Sequence, residues 1–497
     1  MWSEQNSSAA SAGFFPSFLR TTIGPLLLIG VTAPFASLLL SASTQHNGSL
    51  LALLAALAAS PRAALLAALA PPTAQMLRVL GAFVAWQLAL MRLVPGARYE
   101  GPATATGHVP AYLENGPASF VLTLAAYFGL STWGVGARLP PALQFSPAIL
   151  FDVYVPMISF LSVAALLLCL ALTVKGRTCP SGRDSGSTGN LVVDVFWGTE
   201  LYPRVLGWDV KQFTNCRFGM MLWGLLPLAF AAHGVEASGG AAPKRAVLVN
   251  TLLQLVYVFK FFLWEKGYMR SLDIMHDRAG YMICWGCMTW CVGRAAACFA
   301  FLLPRCGALR PLPAKPPPPS PPTDLPPPPR VPSVYVSHSF FLATVGAAGA
   351  DLSLGAACAL GAFGLLCIYI NYAADAQRAH VREAHPHALV WGAKPVVVLA
   401  KYKAGRAVKT SVLLASGWWG AARHFHYVPE ILASVAWSAP AALATGELAI
   451  PFFYCAFLTV LLLDRAYRDD ARCADKYGKS WAEYKKLVPW RIIPWIL

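Results

Sequence analysis

The sequence predicts an all-α polytopic membrane protein, a bundle of about nine or ten transmembrane helices with no Rossmann domain. Two observations carry this. Of 497 residues, 57% are hydrophobic and only 12% charged, and the apolar residues fall in long blocks rather than in the short amphipathic stripes of a soluble core. No G-x-G-x-x-G occurs, and no alternation of strand and helix patterns exists to host one.

Taken in order, Thr21 to Ala42 has no charge. The preceding MWSEQNSSAASAGFFPSFLR lacks the basic, then apolar, then small pattern of a cleaved leader, so this stretch reads as a retained first span. The Ala/Leu-rich stretch Leu50 to Ala70, interrupted by Pro61 and Arg62, is a candidate for one more. Similar blocks cover Val79 to Met91, Ala118 to Gly136, Ala148 to Val174, Phe218 to Ala232, Ala246 to Leu263, Ala279 to Trp290, Ser339 to Ile370 and Ile431 to Leu463. A span takes roughly 20 apolar residues, so the last two are long enough for helical hairpins, broken near Asp351 and Glu447.

The net charge of +16 is concentrated in connecting loops and the C-terminal tail. The loop from Gln377 to Thr410 carries Arg378, Arg382, Lys394, Lys401, Lys403, Arg406 and Lys409 against one acid, Glu383. The tail from Asp464 is also net basic, and both are expected to face the cytosol and anionic lipid. Nucleic acid is not an expected partner, because the basic residues are split between loops rather than lining one soluble face. Six of the twelve Cys lie inside apolar blocks, where a thiol behaves as a small hydrophobe. No Cys/His set has zinc spacing, and no metal is expected. Residues 291–330 break the pattern: thirteen of the forty are Pro, which predicts an exposed polyproline or disordered insertion.

Three polar constellations interrupt the apolar chain. One runs from Gly198 through Arg204, Trp208 and Lys211 to Arg217. A second runs from Glu265 through Tyr268, Asp273 and His276 to Asp277 and Arg278. Ionisable residues this close to the membrane are site candidates unless they are paired or anchoring. The third is SGWWGAARHFHYVPE, residues 416–430, together with the tail. If 416–430 is helical, Trp419, Arg423, His426, Tyr427 and Glu430 share one face, and Asp469, Cys473, Lys476, Tyr477 and Tyr484 share another. Guanidinium, carboxylate, ammonium and flat rings suit a ligand with phosphate, ribose and a flat base. They equally suit a buried polar network between the last helices.

The runs LLASGWWGAARHFHYVPEI and LLLDRAYRDDARCADKYGKSWAEYKKLVPWRIIP, with GTELYPRV, WDVKQFTNCRFGMM and DIMHDRAGYMICWGC upstream, closely resemble the membrane sterol reductases, in particular their Δ7 branch. The resemblance runs from about Gly101 to the C-terminus. It divides the chain into a weakly matching N-terminal membrane region (1–100), a first core part (101–290), the Pro-rich insertion (291–330) and a second core part with the C-terminal cofactor helices (331–497). It implies an NADPH-dependent, multi-pass reductase of the endoplasmic reticulum that saturates the C7–C8 bond of 5,7-diene sterols. The sterol comes from the bilayer, membrane lipids surround the chain, and other sterol-biosynthesis enzymes are possible partners. Sterol C14-reductases share the frame, and a non-catalytic sterol-binding scaffold is the binding-class alternative.

Carried over by matching motif, cofactor contacts fall on Arg378, Arg382, Leu414, Trp419, Arg423, His426 and Tyr427. In the tail they fall on Asp469, Cys473, Ala474, Asp475, Lys476, Tyr477 and Tyr484. An isolated alkene is a poor hydride acceptor, so the reaction also needs an acid. Tyr268, Asp277 and Glu430 are the candidates for proton donor.

Overall fold

The computed structural model describes residues 22–101, 104, 106–289, 335–404 and 407–496. The insertion predicted at 291–330 lies outside the described residues. The first half comprises α1 (Gly24–Gln45), α2 (Leu50–Ala59), α3 (Pro61–Ala68), α4 (Ala74–Leu93), α5 (Gly116–Gly129), α6 (Tyr154–Thr178), α7 (Leu191–Trp197), α8 (Val210–Ala237) and α9 (Arg245–Leu263). The second half comprises α10 (Ser337–Thr344), α11 (Leu354–Ala384), α12 (Trp418–Ala421), α13 (Tyr427–Thr445), α14 (Phe453–Tyr477) and α15 (Lys479–Leu487). Among the described residues, α1, α4, α6, α8, α9 and α11 are long and apolar enough to cross a membrane.

Local chemistry sets the boundaries. Ser49, Thr73 and Ser353 cap α2, α4 and α11 by accepting from the backbone N–H three residues on. The two predicted hairpin breaks are present: α10 and α11 are separated around Asp351, and α13 ends at Gly446 in the left-handed conformation, φ 78°, just before Glu447. Leu50 to Ala70 is not one span. Ser60 is non-helical and Pro61 starts a new helix, so the stretch forms the short pair α2 and α3.

Three two-stranded antiparallel ribbons lie outside the helices, pairing β1 (Ala97–Glu100) with β2 (Ala111–Glu114), β3 (Arg204–Val205) with β4 (Trp208–Asp209), and β5 (Val397–Ala404) with β6 (Ala407–Leu414). The last corrects the reading of Gln377 to Thr410 as one loop: α11 continues to Ala384, and Lys394, Lys401, Lys403 and Lys409 beyond it lie before or on a hairpin whose base pairs Val397 with Leu414.

Helices α8, α9, α11 and α13 pack on one another and form the centre. There Trp223, Tyr257, Tyr335, Trp437 and Tyr454 build an aromatic chamber. Tyr257 lies 5.2 Å from both Trp223 and Trp437, and Tyr335 lies 4.5 Å from Tyr454. Beside it Trp223 Nε1 donates to Gln254 Oε1 (3.0 Å), Gln254 Nε2 to Asn250 Oδ1 (3.0 Å) and Ser339 Oγ (2.8 Å), and Asn250 Nδ2 to the Trp437 carbonyl (2.6 Å). An amide left unpaired at bilayer depth costs several kcal/mol, so this closed set fixes how α8, α9, α10 and α13 meet. On the other flank a π-turn at Phe213–Gly219 inside α8 turns the fully buried Arg217 onto Glu265, 2.6 Å away.

Candidate functional site

Past its apolar part, α11 carries Asn371, Asp375, Arg378 and Arg382 at spacings of four, three and four, which puts them on one face. Arg378 pairs with Asp375 (2.9 Å) and lies over the Trp419 ring, its Cζ 3.9 Å from the centroid. Trp419 Nε1 in turn donates to the Ala374 carbonyl (2.7 Å). The chain can enter α12 this close to α11 because residue 417 is Gly, at φ 62°, where a Cβ would strike the Gln377 amide.

The predicted continuous helix over 416–430 is not formed. α12 ends at Ala421, Ala422 is extended, and α13 begins only at Tyr427. Short α12 is followed at once by a crossing of the C-terminal tail: Arg423 N–H donates to the Trp490 carbonyl (3.0 Å) and His424 N–H to that of Arg491 (2.8 Å). These bonds pull the backbone out of helical register. Trp419, His426 and Tyr427 nevertheless meet, by ring contact rather than by helical period: His426 is 4.9 Å from Trp419 and 4.3 Å from Tyr427, and His424 stacks on Tyr427 at 5.2 Å. Burial pushes the His424 imidazole down to about 4, against an upward pull from Asp469, so it is neutral at physiological pH.

Arg423 has internal partners. Its Nη1 donates to the Val488 and Pro489 carbonyls (2.8 and 2.7 Å), and its Nε stands 3.3 Å from Asp470, which also takes Arg491. It clamps the tail.

The tail is likewise not one helix: α14 stops at Tyr477, Gly478 takes φ 51°, and α15 follows. Asp469 pairs with Arg472 (2.6 Å) and lies 3.8 Å from the Cys473 thiol. The Tyr477 hydroxyl is 3.4 Å from Ser411 on β6. Tyr484 is buried with Trp481 against Val398, Ala400 and Leu413 of the hairpin. Burial raises its phenol to about 12, while the positive charges of Arg378, Arg423 and Arg382 pull the other way. Arg382 is also within electrostatic reach of Tyr477 and Cys473 and donates to the Val412 carbonyl (3.3 Å). Leu414 is buried behind Trp419.

The structure thus gathers Arg378, Arg382, Trp419, His426, Tyr427, Asp469, Cys473, Tyr477 and Tyr484 at one polar end of the bundle. Ala474 and Asp475 are exposed on the far side of α14, and Lys476 lies over the Tyr402 ring at 4.1 Å, on the rim. Among the described residues, His424 Nε2, His426 Nδ1 and Arg472 Nε are buried without a hydrogen-bond partner. Buried nitrogens left open beside two arginines and flat rings fit an anionic ligand with a planar base.

The three proton-donor candidates occupy three different places. Tyr268 packs against Phe261 at 5.4 Å, in a cluster with Tyr99, Tyr112 and Tyr202. Asp277 lies in the loop whose carbonyls, its own included, accept from the fully buried Lys211 ammonium. Glu430 reaches the aromatic chamber. It accepts a short hydrogen bond from the Tyr257 hydroxyl, and Lys260 Nζ stands 4.0 Å from its other oxygen. Lys260 also donates to Asn371 Oδ1, and Asn371 Nδ2 donates to the His426 carbonyl (2.9 Å). Sequence reasoning missed Tyr257, Lys260 and Asn371. The available signal was Lys260 itself, an ion inside an apolar block and one turn from a tyrosine.

The ergosterol biosynthesis ERG4/ERG24 family model matches residues 26–304 and 329–497, leaving 305–328, inside the Pro-rich stretch, unmatched. The chain is 41% identical over 427 residues to the 7-dehydrocholesterol reductase of Arabidopsis thaliana, covering 86% of each protein. It is 31% identical over 432 residues to the Delta(14)-sterol reductase of Methylotuvimicrobium alcaliphilum, covering 85% of this chain and 84% of the relative. It is 28% identical over 433 residues to the 7-dehydrocholesterol reductase of Xenopus laevis, covering 84% and 80%. Fold and relatives together define a membrane oxidoreductase acting on sterols. The chain belongs to the ergosterol biosynthesis ERG4/ERG24 family.

Proposed function

We propose that the chain reduces the C7–C8 double bond of 5,7-diene sterols with NADPH, taking its sterol laterally from the bilayer. It works in the endoplasmic reticulum membrane, with the polar end toward the cytosol and other sterol-biosynthesis enzymes as neighbours. The observation that carries the reading is the Tyr257–Glu430 hydrogen bond, which joins an acid to the aromatic chamber directly beneath the arginine-rich end. The 41% identity to a 7-dehydrocholesterol reductase favours the Δ7 bond.

Arg378 and Arg382 would hold the phosphates, and Trp419, His426, Tyr427, Tyr477 and Tyr484 would hold the flat rings and ribose. When bound, NADPH supplies a hydride. The chain's own residues do the rest. Glu430, steadied by Tyr257, presents a proton at C8 of the diene, and the resulting C7 cation is delocalised over the remaining C5–C6 double bond, which makes it a hydride acceptor. Trp223, Trp437 and Tyr454 keep water from that cation. Fixing sterol and acid against each other contributes several kcal/mol more, roughly 7 to 11 in ideal cases.

The 31% identity to a Delta(14)-sterol reductase supports a second reading, reduction of an 8,14-diene by the same acid. Membranes containing the chain, supplied with NADPH and either 7-dehydrocholesterol or an 8,14-diene, distinguish the two by which conjugated-diene absorbance disappears. Consumption of the 5,7-diene alone is expected. Loss of neither, with sterol still bound, would overturn both in favour of a scaffold.

A further inference from the structure

Glu430 receives a hydrogen bond from Tyr257 on one oxygen and faces an ammonium with the other. That is the arrangement of a carboxylate that has already given up its proton. We propose that Lys260 is the proton store for Glu430 and is refilled at Asp375, on the polar end of the bundle. This rests on the reading of Glu430 as the acid.

Geometry supplies each part. Lys260 lies in α9 inside an apolar stretch, its side chain only 18% exposed and that of Glu430 15%. An ion kept at this depth marks a pathway more often than a packing contact. Its four-carbon stem gives Nζ freedom to swing, and Asn371 ties it to α11: Oδ1 accepts from Nζ while Nδ2 is anchored on the His426 carbonyl. One turn further along α11, on the same face as Asn371, Asp375 is hydrogen-bonded by Arg378 at 2.9 Å. Its side chain is 25% exposed, so water meets it there. From solvent to chamber the order is therefore Asp375, Lys260, Glu430, with Tyr257 against the carboxylate at the inner end.

In each turnover one proton leaves Nζ for Glu430 Oε2, and one leaves Glu430 to form the new C–H bond at C8 of the sterol. The neutral amine then takes a proton from water at Asp375. Lysine and glutamate end as they began, solvent has lost one proton, and the hydride donor has lost its hydride to C7. Lys260 does not touch the reacting atoms. It is a positioning and relay residue, which separates its signature from that of Glu430.

The test is rapid-mixing kinetics on the full chain in lipid nanodiscs with 7-dehydrocholesterol and NADPH. Lys260→Met, equilibrated at mildly acid pH so that Glu430 starts protonated, is expected to complete its first turnover at close to the wild-type rate. Later turnovers should slow about tenfold or more, giving a burst near one equivalent. Lys260→Cys should behave likewise and recover on alkylation with 2-bromoethylamine, which rebuilds the amine. Asp375→Asn, which leaves the chamber untouched, should show the same burst if Lys260→Met does not fold. Equal slowing of first and later turnovers, or no slowing, overturns the relay. Glu430→Gln separates the two readings: loss of its first turnover upholds the acid on which the relay depends, whereas a retained first turnover removes that acid whatever Lys260 does.

Discussion

The polar end and the aromatic chamber solve opposite problems with the same residue types. At the polar end Arg423 and Asp470 each have several partners: Arg423 reaches two carbonyls and Asp470, and Asp470 accepts from Trp481 and pairs with Arg491. Among the described residues of the chamber, Tyr257, Glu430, Lys260 and Asn371 form one short thread, with the Lys260 ammonium also 4.6 Å over the Tyr257 ring. Redundant pairing makes a surface that holds its shape while a charged ligand comes and goes. A single thread leaves each proton with one route, so a change there acts on chemistry before it acts on shape.

That contrast orders the expected effects of substitution. Glu430→Gln should lower kcat by about 10²- to 10⁴-fold, the range for removal of a general acid, with little change in melting temperature. A large fall in stability with proportionate activity would make Glu430 a structural residue. Arg423→Ala should show the reverse. It strips a buried cation from two carbonyls and from Asp470, at a cost of about 3 to 5 kcal/mol, read as a lower melting temperature in detergent without nucleotide. Smaller again is Arg378→Ala. Losing its place over Trp419 and its phosphate contact should weaken NADPH binding by about 10- to 100-fold, or roughly 1.5 to 3 kcal/mol, by titration calorimetry. Kcat at saturating NADPH should be nearly unchanged.

What was legible in the sequence follows the same division. The two hairpin breaks could be read because Asp351 and Glu447 cannot sit unpaired at mid-bilayer, and the structure breaks there. The polar end was legible as an inventory but not as geometry. A one-face argument needs an unbroken helix, and the 416–430 helix is interrupted by bonds to residues 490 and 491, which no local pattern announces. The β5–β6 hairpin was hidden because its lysines drew attention to charge, whereas its strands pair by the alternation of Val398, Ala400 and Tyr402 with their neighbours. Tyr257 and Lys260 were passed over because a tyrosine and one lysine do not disturb an apolar average. Their meaning comes from Glu430, more than 160 residues away in the chain.

The smallest expected effect separates the two regions by pH. His424, at the polar end, is held near 4 by burial, below its usual 6.5. Between those values the unfolded chain binds a proton that the folded chain does not. Stability therefore falls as pH drops from about 6.5 toward 4, by up to about 1.4 kcal/mol per pH unit, and levels off below. His426, held near 3 for the same reason, extends the slope downward. Most carboxylates protonate only below this window, so the upper part of the slope belongs to the imidazoles. His276 is likewise held near 4 by burial, so His424→Gln should remove no more than about a third of that slope, while leaving the melting temperature at pH 7.5 within a few degrees of wild type. A slope unchanged in His424→Gln would mean that the polar end opens to water before it unfolds.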